Sequence, residues 1–233
     1  MSSLTKVVAA VSVVAGAALF IGNDSGSALA AAPAAVPAPL VDNPLAAKPG
    51  EEVAVFAGGC FWGIQAVYQH VVGVKSAVSG YTGGAERSPN YRVVSAGRTG
   101  HAESVRIVFD PSKVSYGTLL RVLFAVAHDP TQLNRQGPDV GEHYRSEIFF
   151  TNTAQKKIAA AYIDQLGKAK VFSRPIVTKL SSLGAFTVAE DYHQNYANEH
   201  PNEPYIRFHD APKVAALKSD FASIYKEELS AWK

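Results

Sequence analysis

Apolar and polar positions change rhythm along this chain, and each change marks an element. The apolar alternating run Val53 to Ala57 predicts a strand over Glu52 to Ala57, and Gly58-Gly59 stops it. The amphipathic segment Ile64 to Val71 predicts a helix from about Cys60 to His70. A second strand is expected at Val74 to Tyr81, closed by Gly83-Gly84. Ala85 to Gly100 is polar and reads as a long loop with a short turn near Tyr91. Ala102 to Phe109 fits a mostly buried strand that carries Glu103. Asp110-Pro111 ends it, Ser115 is a helix cap, and Leu119 to Ala127 predicts a helix with an apolar face. His128 to Tyr144 is irregular. Beyond it the pattern predicts a strand at Glu147 to Thr151, a helix at Thr153 to Lys168 and a strand at Pro175 to Leu180. A helical turn is expected near Glu190 to Ala197, and a final amphipathic helix over Lys213 to Ala231. Strands interleaved with helices imply an α+β sandwich, with helices packed on one mixed β-sheet.

The first residues have a different pattern. Lys6, the apolar run Val7 to Ile21 and then Ala28-Leu29-Ala30 match a secretory signal peptide with cleavage after Ala30. That run is roughly fifteen residues, short of the about twenty a membrane span needs. An uncleaved anchor is the alternative. The expectation is an exported protein, periplasmic or extracellular. Residues 31–50, rich in Ala and Pro, read as a mobile linker, and 51–233 as one globular domain. The formal net charge of +2 gives no electrostatic support for nucleic-acid binding. A monomer is expected.

The candidate chemistry centres on Gly58-Gly59-Cys60-Phe61-Trp62-Gly63. A strand running into glycines and then a helix sets Cys60 at a helix N-terminus, where the dipole and free N–H groups favour a thiolate and lower its pKa. The glycines leave room for a substrate beside the sulfur, and Phe61 and Trp62 wall an apolar slot. Cys60 is the only cysteine of the chain, so it has no intramolecular disulfide partner. A buried core cysteine is the competing reading. Glu103, in an apolar strand, either stays partly protonated or pairs with a cation, unless it faces water. Tyr81, Tyr91 and Tyr144 are either phenol donors or packing residues. His128, His143 and His193 do not fall at zinc-ligand spacing, and no metal is expected.

These residues resemble the A-type peptide methionine sulfoxide reductases, whose signature is GCFWG. The similarity continues through Gly80-Tyr81-Thr82-Gly83-Gly84, Pro89-Asn90-Tyr91, Thr99-Gly100-His101-Ala102-Glu103 and Phe109-Asp110-Pro111. His128-Asp129-Pro130-Thr131, Asn134 to Gly141, Tyr144-Arg145-Ser146 and Ala189 to Gln194 extend it, so that it spans Val53 to His209. The resemblance implies a ferredoxin-like sandwich and reduction of methionine S-sulfoxide, free or in oxidised peptides and proteins, the reaction known for that family. It assigns Cys60 as nucleophile and Glu103 as the acid at the sulfoxide oxygen. Tyr91 and Tyr144 become oxygen-binding phenols, Asp139 a polar residue acting through water, and Phe61 and Trp62 the methyl pocket. No cofactor is implied beyond an external thiol reductant: a thioredoxin- or glutaredoxin-type protein, or a small thiol. Many members carry a resolving cysteine. This chain has none, so a sulfenic acid on Cys60 must be reduced from outside. Two other classes remain at this point: a cysteine hydrolase or acyltransferase, which needs a histidine base at Cys60, and a non-catalytic binder of oxidised peptides.

Overall fold

The computed structural model describes residues 36–85, 87 and 89–232. The signal-peptide reading, the start of the linker and the last residue lie outside the described residues.

β1 (Glu52–Gly58) leads into α1 (Phe61–Gln69), and α1 into β2 (Val74–Thr82). A short α2 (Tyr91–Ser95) precedes β3 (Ala102–Phe109). α3 (Tyr116–Val122) then continues as a π-helical turn over Leu123–Ala127. Next come a small hairpin of β4 (Arg135–Gln136) and β5 (Asp139–Val140), then β6 (Ser146–Phe150) and α4 (Thr153–Lys168). β7 (Lys179–Ser182), β8 (Thr187–Val188), α5 (Tyr196–Glu199) and α6 (Ala211–Asp220) complete the order. The six-stranded sheet runs β7-β6-β1-β3-β2-β8. Its centre, β6-β1-β3-β2, is antiparallel throughout. Two strand–helix–strand units interleave there in the ferredoxin-like manner. β7 adds in parallel at one edge, which makes the sheet mixed, and β8 adds antiparallel at the other.

The elements form for local reasons and are kept by packing. Ser115 accepts from the Thr118 N–H at 3.1 Å and Asn152 from the Gln155 N–H at 2.9 Å, capping α3 and α4. Ile158, Tyr162 and Leu166 recur every fourth residue of α4, share one face, and are all buried. Burial of each is worth roughly 1.5–3 kcal/mol. β1 is buried on both faces, by the helices in front and by Phe149, Leu183 and Phe186 behind.

The structure differs from the sequence reading in three places. The stretch expected as a mobile linker is tied down from Val36. Its carbonyls at Val36, Pro37 and Ala38 accept from Arg121, Tyr162 and Gln165 at 2.9, 2.6 and 2.8 Å. Asp42 then accepts from Ser115 Oγ at 2.5 Å and from the Gly117 N–H at 2.9 Å. Ala/Pro composition signals an extended backbone. It does not reveal whether partners exist for the backbone's polar groups.

The C-terminal helix stops at Asp220, not Ala231. The α1–β2 turn cannot satisfy its own backbone, and the tail does so: Lys226 N–H donates to His70 O at 2.8 Å and Ser230 Oγ to Val74 O at 2.7 Å. The strand expected from Pro175 begins at Lys179, where pairing with Glu147 of β6 sets the register. Ser181 Oγ holds Glu147 there at 2.5 Å.

Candidate active site

Cys60 sits at the N-cap of α1, eight per cent exposed, where β1 hands the chain to the helix. The two glycines before it serve the protein rather than a substrate. A side chain at Gly58 would meet the His128 ring at 2.8 Å. Gly59 has φ +100°, and a Cβ there would meet Gln136 at 2.6 Å. The turn is tight because His128 and Gln136 fill the space on either side of it.

Glu103 projects from β3 on the helix-covered face of the sheet and is two per cent exposed. Its Oε2 accepts from the Phe61 N–H at 3.1 Å, so the carboxyl touches the first turn of the helix that Cys60 opens. Burial pushes its pKa up to about 8, aided by the charge of Asp139 and opposed by the Phe61 N–H. At neutral pH the carboxyl therefore keeps its proton.

The thiol does not behave as its helix position suggests. The Trp62 N–H and Lys213 favour the thiolate, yet burial, Glu103 and Asp210 together raise the Cys60 pKa well above the ordinary thiol value. One turn of backbone dipole does not offset desolvation plus two carboxyl groups. The resting pair is a neutral thiol beside a neutral acid.

Aromatic rings surround this pair. Phe61, one per cent exposed, packs against Tyr81 and His193 with ring centroids at 5.8 and 5.1 Å. Trp62 stacks on Tyr196 at 3.8 Å and donates its indole N–H to His193 Nδ1 at 3.2 Å. Tyr91 of α2 also packs on His193, with ring centroids at 4.6 Å. The phenols of Tyr91 and Tyr144 are both held above their usual pKa, first by burial and then by the charges of Glu103 and Cys60, which places both rings at this centre. Tyr81, the third phenol considered from sequence, donates to Glu190 at 3.0 Å. The same carboxylate accepts the Tyr91 N–H at 2.9 Å and so fixes α2 over the site.

Cys60 also lines a cavity of about 170 Å³, together with Gln136, Asp139, Tyr205, His209 and Lys213. Tyr205 donates its hydroxyl to Asp139. Every residue chosen from sequence (Cys60, Phe61, Trp62, Tyr91, Glu103, Asp139 and Tyr144) thus belongs to one locale. Sequence reasoning left out Tyr205, Tyr196, Asp210 and Lys213. Asp210-Ala211-Pro212-Lys213 reads from sequence as an ordinary helix start, and only the fold brings it to α1. His193 accepts from Trp62 through Nδ1, while its Nε2 has no hydrogen-bond partner among the described residues. His128 is bonded to Ser146 Oγ at 2.7 Å and Leu123 O at 3.0 Å, and burial lowers its pKa to about 4. His128 therefore does not fit the base of a cysteine hydrolase.

Comparison with known proteins agrees with this geometry. The family model described as peptide methionine sulfoxide reductase matches residues 52–225. The chain is 59% identical over 182 residues to the Mesorhizobium japonicum protein named peptide methionine sulfoxide reductase MsrA 2, covering 78% of this chain and 93% of that one. It is 51% identical over 173 residues to the Deinococcus radiodurans protein named peptide methionine sulfoxide reductase MsrA, covering 73% and 84%. Among solved structures it resembles reduced Mxr1 from Saccharomyces cerevisiae, with TM-score 0.60 and 30% identity over 70% of this chain and 92% of that one. Methionine sulfoxide reductase A of Corynebacterium diphtheriae is similar at TM-score 0.56 and 35% identity, over 67% and 78%. The lone buried thiol, its protonated carboxyl neighbour and the aromatic surround therefore sit in a chain that belongs to the peptide methionine sulfoxide reductase family.

Proposed function

We propose that this chain reduces methionine S-sulfoxide, free or in oxidised peptides and proteins, with Cys60 as nucleophile and Glu103 as the proton donor. One observation carries the reading: a carboxyl that keeps its proton to about pH 8 lies against the first turn of the helix that the only thiol opens. A sulfoxide sulfur resists attack because its oxygen leaves poorly, and protonation of that oxygen removes the obstacle. Glu103 supplies the proton. Tyr91 and Tyr144 donate to the same oxygen as preorganised phenols, and Asp139 acts there through water. The aromatic slot behind Phe61 and Trp62 takes the methyl group. Cys60 gives up its proton as it attacks, and that proton restores Glu103. The net step is thiol plus sulfoxide to sulfenic acid plus thioether, a two-electron oxidation of Cys60.

With no second cysteine in the sequence, resolution needs an external thiol. The first thiol attacks the sulfenic acid, releasing water and leaving a mixed disulfide. A second thiol then attacks the mixed disulfide, releasing Cys60 as a thiol and the two reductant thiols as a disulfide. A small thiol or a thioredoxin- or glutaredoxin-type protein fills this role, with the enzyme acting as a monomer. Export belongs to the same reading and rests on Lys6, Val7 to Ile21 and Ala28-Leu29-Ala30. N-terminal sequencing of the native protein should begin near Ala31, and an intact Ser2 in the cytoplasm contradicts it. For the reaction itself, excess dithiothreitol and racemic free methionine sulfoxide should convert half of the sulfoxide and stop. Conversion of both epimers contradicts the S-selective slot, and full activity in Cys60→Ser contradicts the thiol chemistry.

A further inference from the structure

α1 carries a glycine at its third position for a reason unrelated to helix formation. A side chain at Gly63 would collide with Asp210 Oδ1 and lie 2.8 Å from Lys213 Nζ. Asp210, fully buried, and Lys213 form an ion pair at 3.0 Å. The Lys213 side chain is only 18% exposed and lines the same cavity as Cys60. The other Asp210 oxygen, Oδ2, has no hydrogen-bond partner among the described residues. A buried carboxylate with an idle oxygen is costly to keep, and its one visible service is to hold the Lys213 ammonium against the turn that starts at Cys60.

The charges around the sulfur make that placement consequential. Glu103 from β3, Asp139 from β5 and Asp210 all bring carboxyl groups to the site. Tyr91, Tyr144, Tyr196 and Tyr205 bring phenols, which are neutral at working pH. Lys213 and the exposed His209 are the basic side chains of the cavity lining. On its own side, Lys213 faces Asp210 and, at longer range, His128, which is neutral above about pH 4.

We propose that Lys213, clamped by Asp210, is a positioning residue that favours the thiolate of Cys60 and so sets how readily the nucleophile forms. The inference rests on the nucleophile reading given above. It is a second electrostatic device in the same site: Glu103 keeps a proton available for the sulfoxide oxygen, and Lys213 helps the sulfur lose one.

The single cysteine makes the test direct. Alkylation of Cys60 by iodoacetamide is followed against pH in wild type, Lys213→Met, Lys213→Gln and Lys213→Arg, with Cys60→Ser as the blank. Lys213→Met should raise the alkylation midpoint by about one pH unit, slowing the reaction roughly tenfold below it. Lys213→Arg should restore most of the wild-type profile. Lys213→Gln, which removes the same charge with a polar side chain, should shift the midpoint as Lys213→Met does. In turnover with saturating dithiothreitol, Lys213→Met should lose kcat at neutral pH, where Glu103 still holds its proton, and keep its KM for sulfoxide. A wild-type alkylation profile in a folded Lys213→Met protein overturns the proposal. If that variant does not fold, an unchanged midpoint in Lys213→Gln overturns it equally. Alkylation reports the ionisation of Cys60 whether or not the thiol attacks sulfoxide. Failure of the nucleophile reading would show separately, as turnover surviving in Cys60→Ser.

Discussion

Replacing Glu103 by Gln separates the two things this carboxyl does in the fold: it carries a proton, and it accepts the Phe61 N–H at 3.1 Å. The amide keeps the acceptor and still offers an N–H to a sulfoxide oxygen, but it cannot ionise. In wild type the pKa of the group rises from 4.5 to about 8 because it is buried. In that window the folded protein holds a proton that the unfolded chain has released. Stability contributed by the neutral carboxyl is thus fully present below pH 4.5 and declines as pH rises, levelling off above about 8. A shift of that size corresponds to roughly 5 kcal/mol, an upper bound because an ionised carboxylate draws in water.

Urea unfolding of both proteins at a series of pH values reads this out, since all other titrating groups cancel in the difference. Glu103→Gln should gain on wild type as pH rises from 5 to 9, by at least about 2 kcal/mol on this scale. Its single-turnover methionine release should be slower at neutral pH and lack the fall through about pH 8 expected of wild type. Glu103→Ala should be slower still, by the roughly 10²–10⁴-fold of a lost general acid. Parallel stability curves for the Gln variant and wild type would refute the buried, protonated carboxyl. Equal release rates in all three proteins would remove Glu103 from the chemistry.

Two further expectations concern the frame around the site. Asp42→Ala removes the acceptor for Ser115 Oγ and the Gly117 N–H at the start of α3, and should cost about 1–2 kcal/mol in thermal unfolding without changing turnover. His128 is held neutral down to about pH 4, so the stability it contributes is present above 6.5 and is lost as pH falls towards 4, to the extent of roughly 3 kcal/mol. Its ring signals in NMR should still report the neutral form at pH 5.5.

How much of this fold the sequence reveals depends on which interactions are local. α4 is legible from Thr153 to Lys168 because its cap and its apolar face are written in consecutive residues. β3 is legible with Glu103 on it for the same reason, since a period of two is a property of the strand itself. The anchoring of residues 36–50 is not legible, because its partners Arg121, Tyr162 and Gln165 are over 80 residues away. The shortened C-terminal helix is hidden in the same way, since its tail answers unpaired groups at His70 and Val74. Within the site, Cys60 is announced by its own neighbours, whereas Asp210 and Lys213 acquire meaning only where they meet Gly63. The thiol's ionisation shows the limit most clearly. Helix position is local and predicts a lowered pKa, but burial and the distant carboxyls of Glu103 and Asp210 decide the sign.

Whether Cys60 takes the sulfoxide oxygen and then waits for an outside thiol is tested by one equivalent of methionine sulfoxide in the absence of reductant. One methionine should be released per chain, and the intact mass should rise by one oxygen, localised to Cys60 and trapped by a sulfenic-acid probe. A second turnover should occur only on adding thiol, at a rate set by its thiolate concentration. Methionine release with no mass gain on Cys60, or a second fast turnover without thiol, would contradict the one-cysteine mechanism.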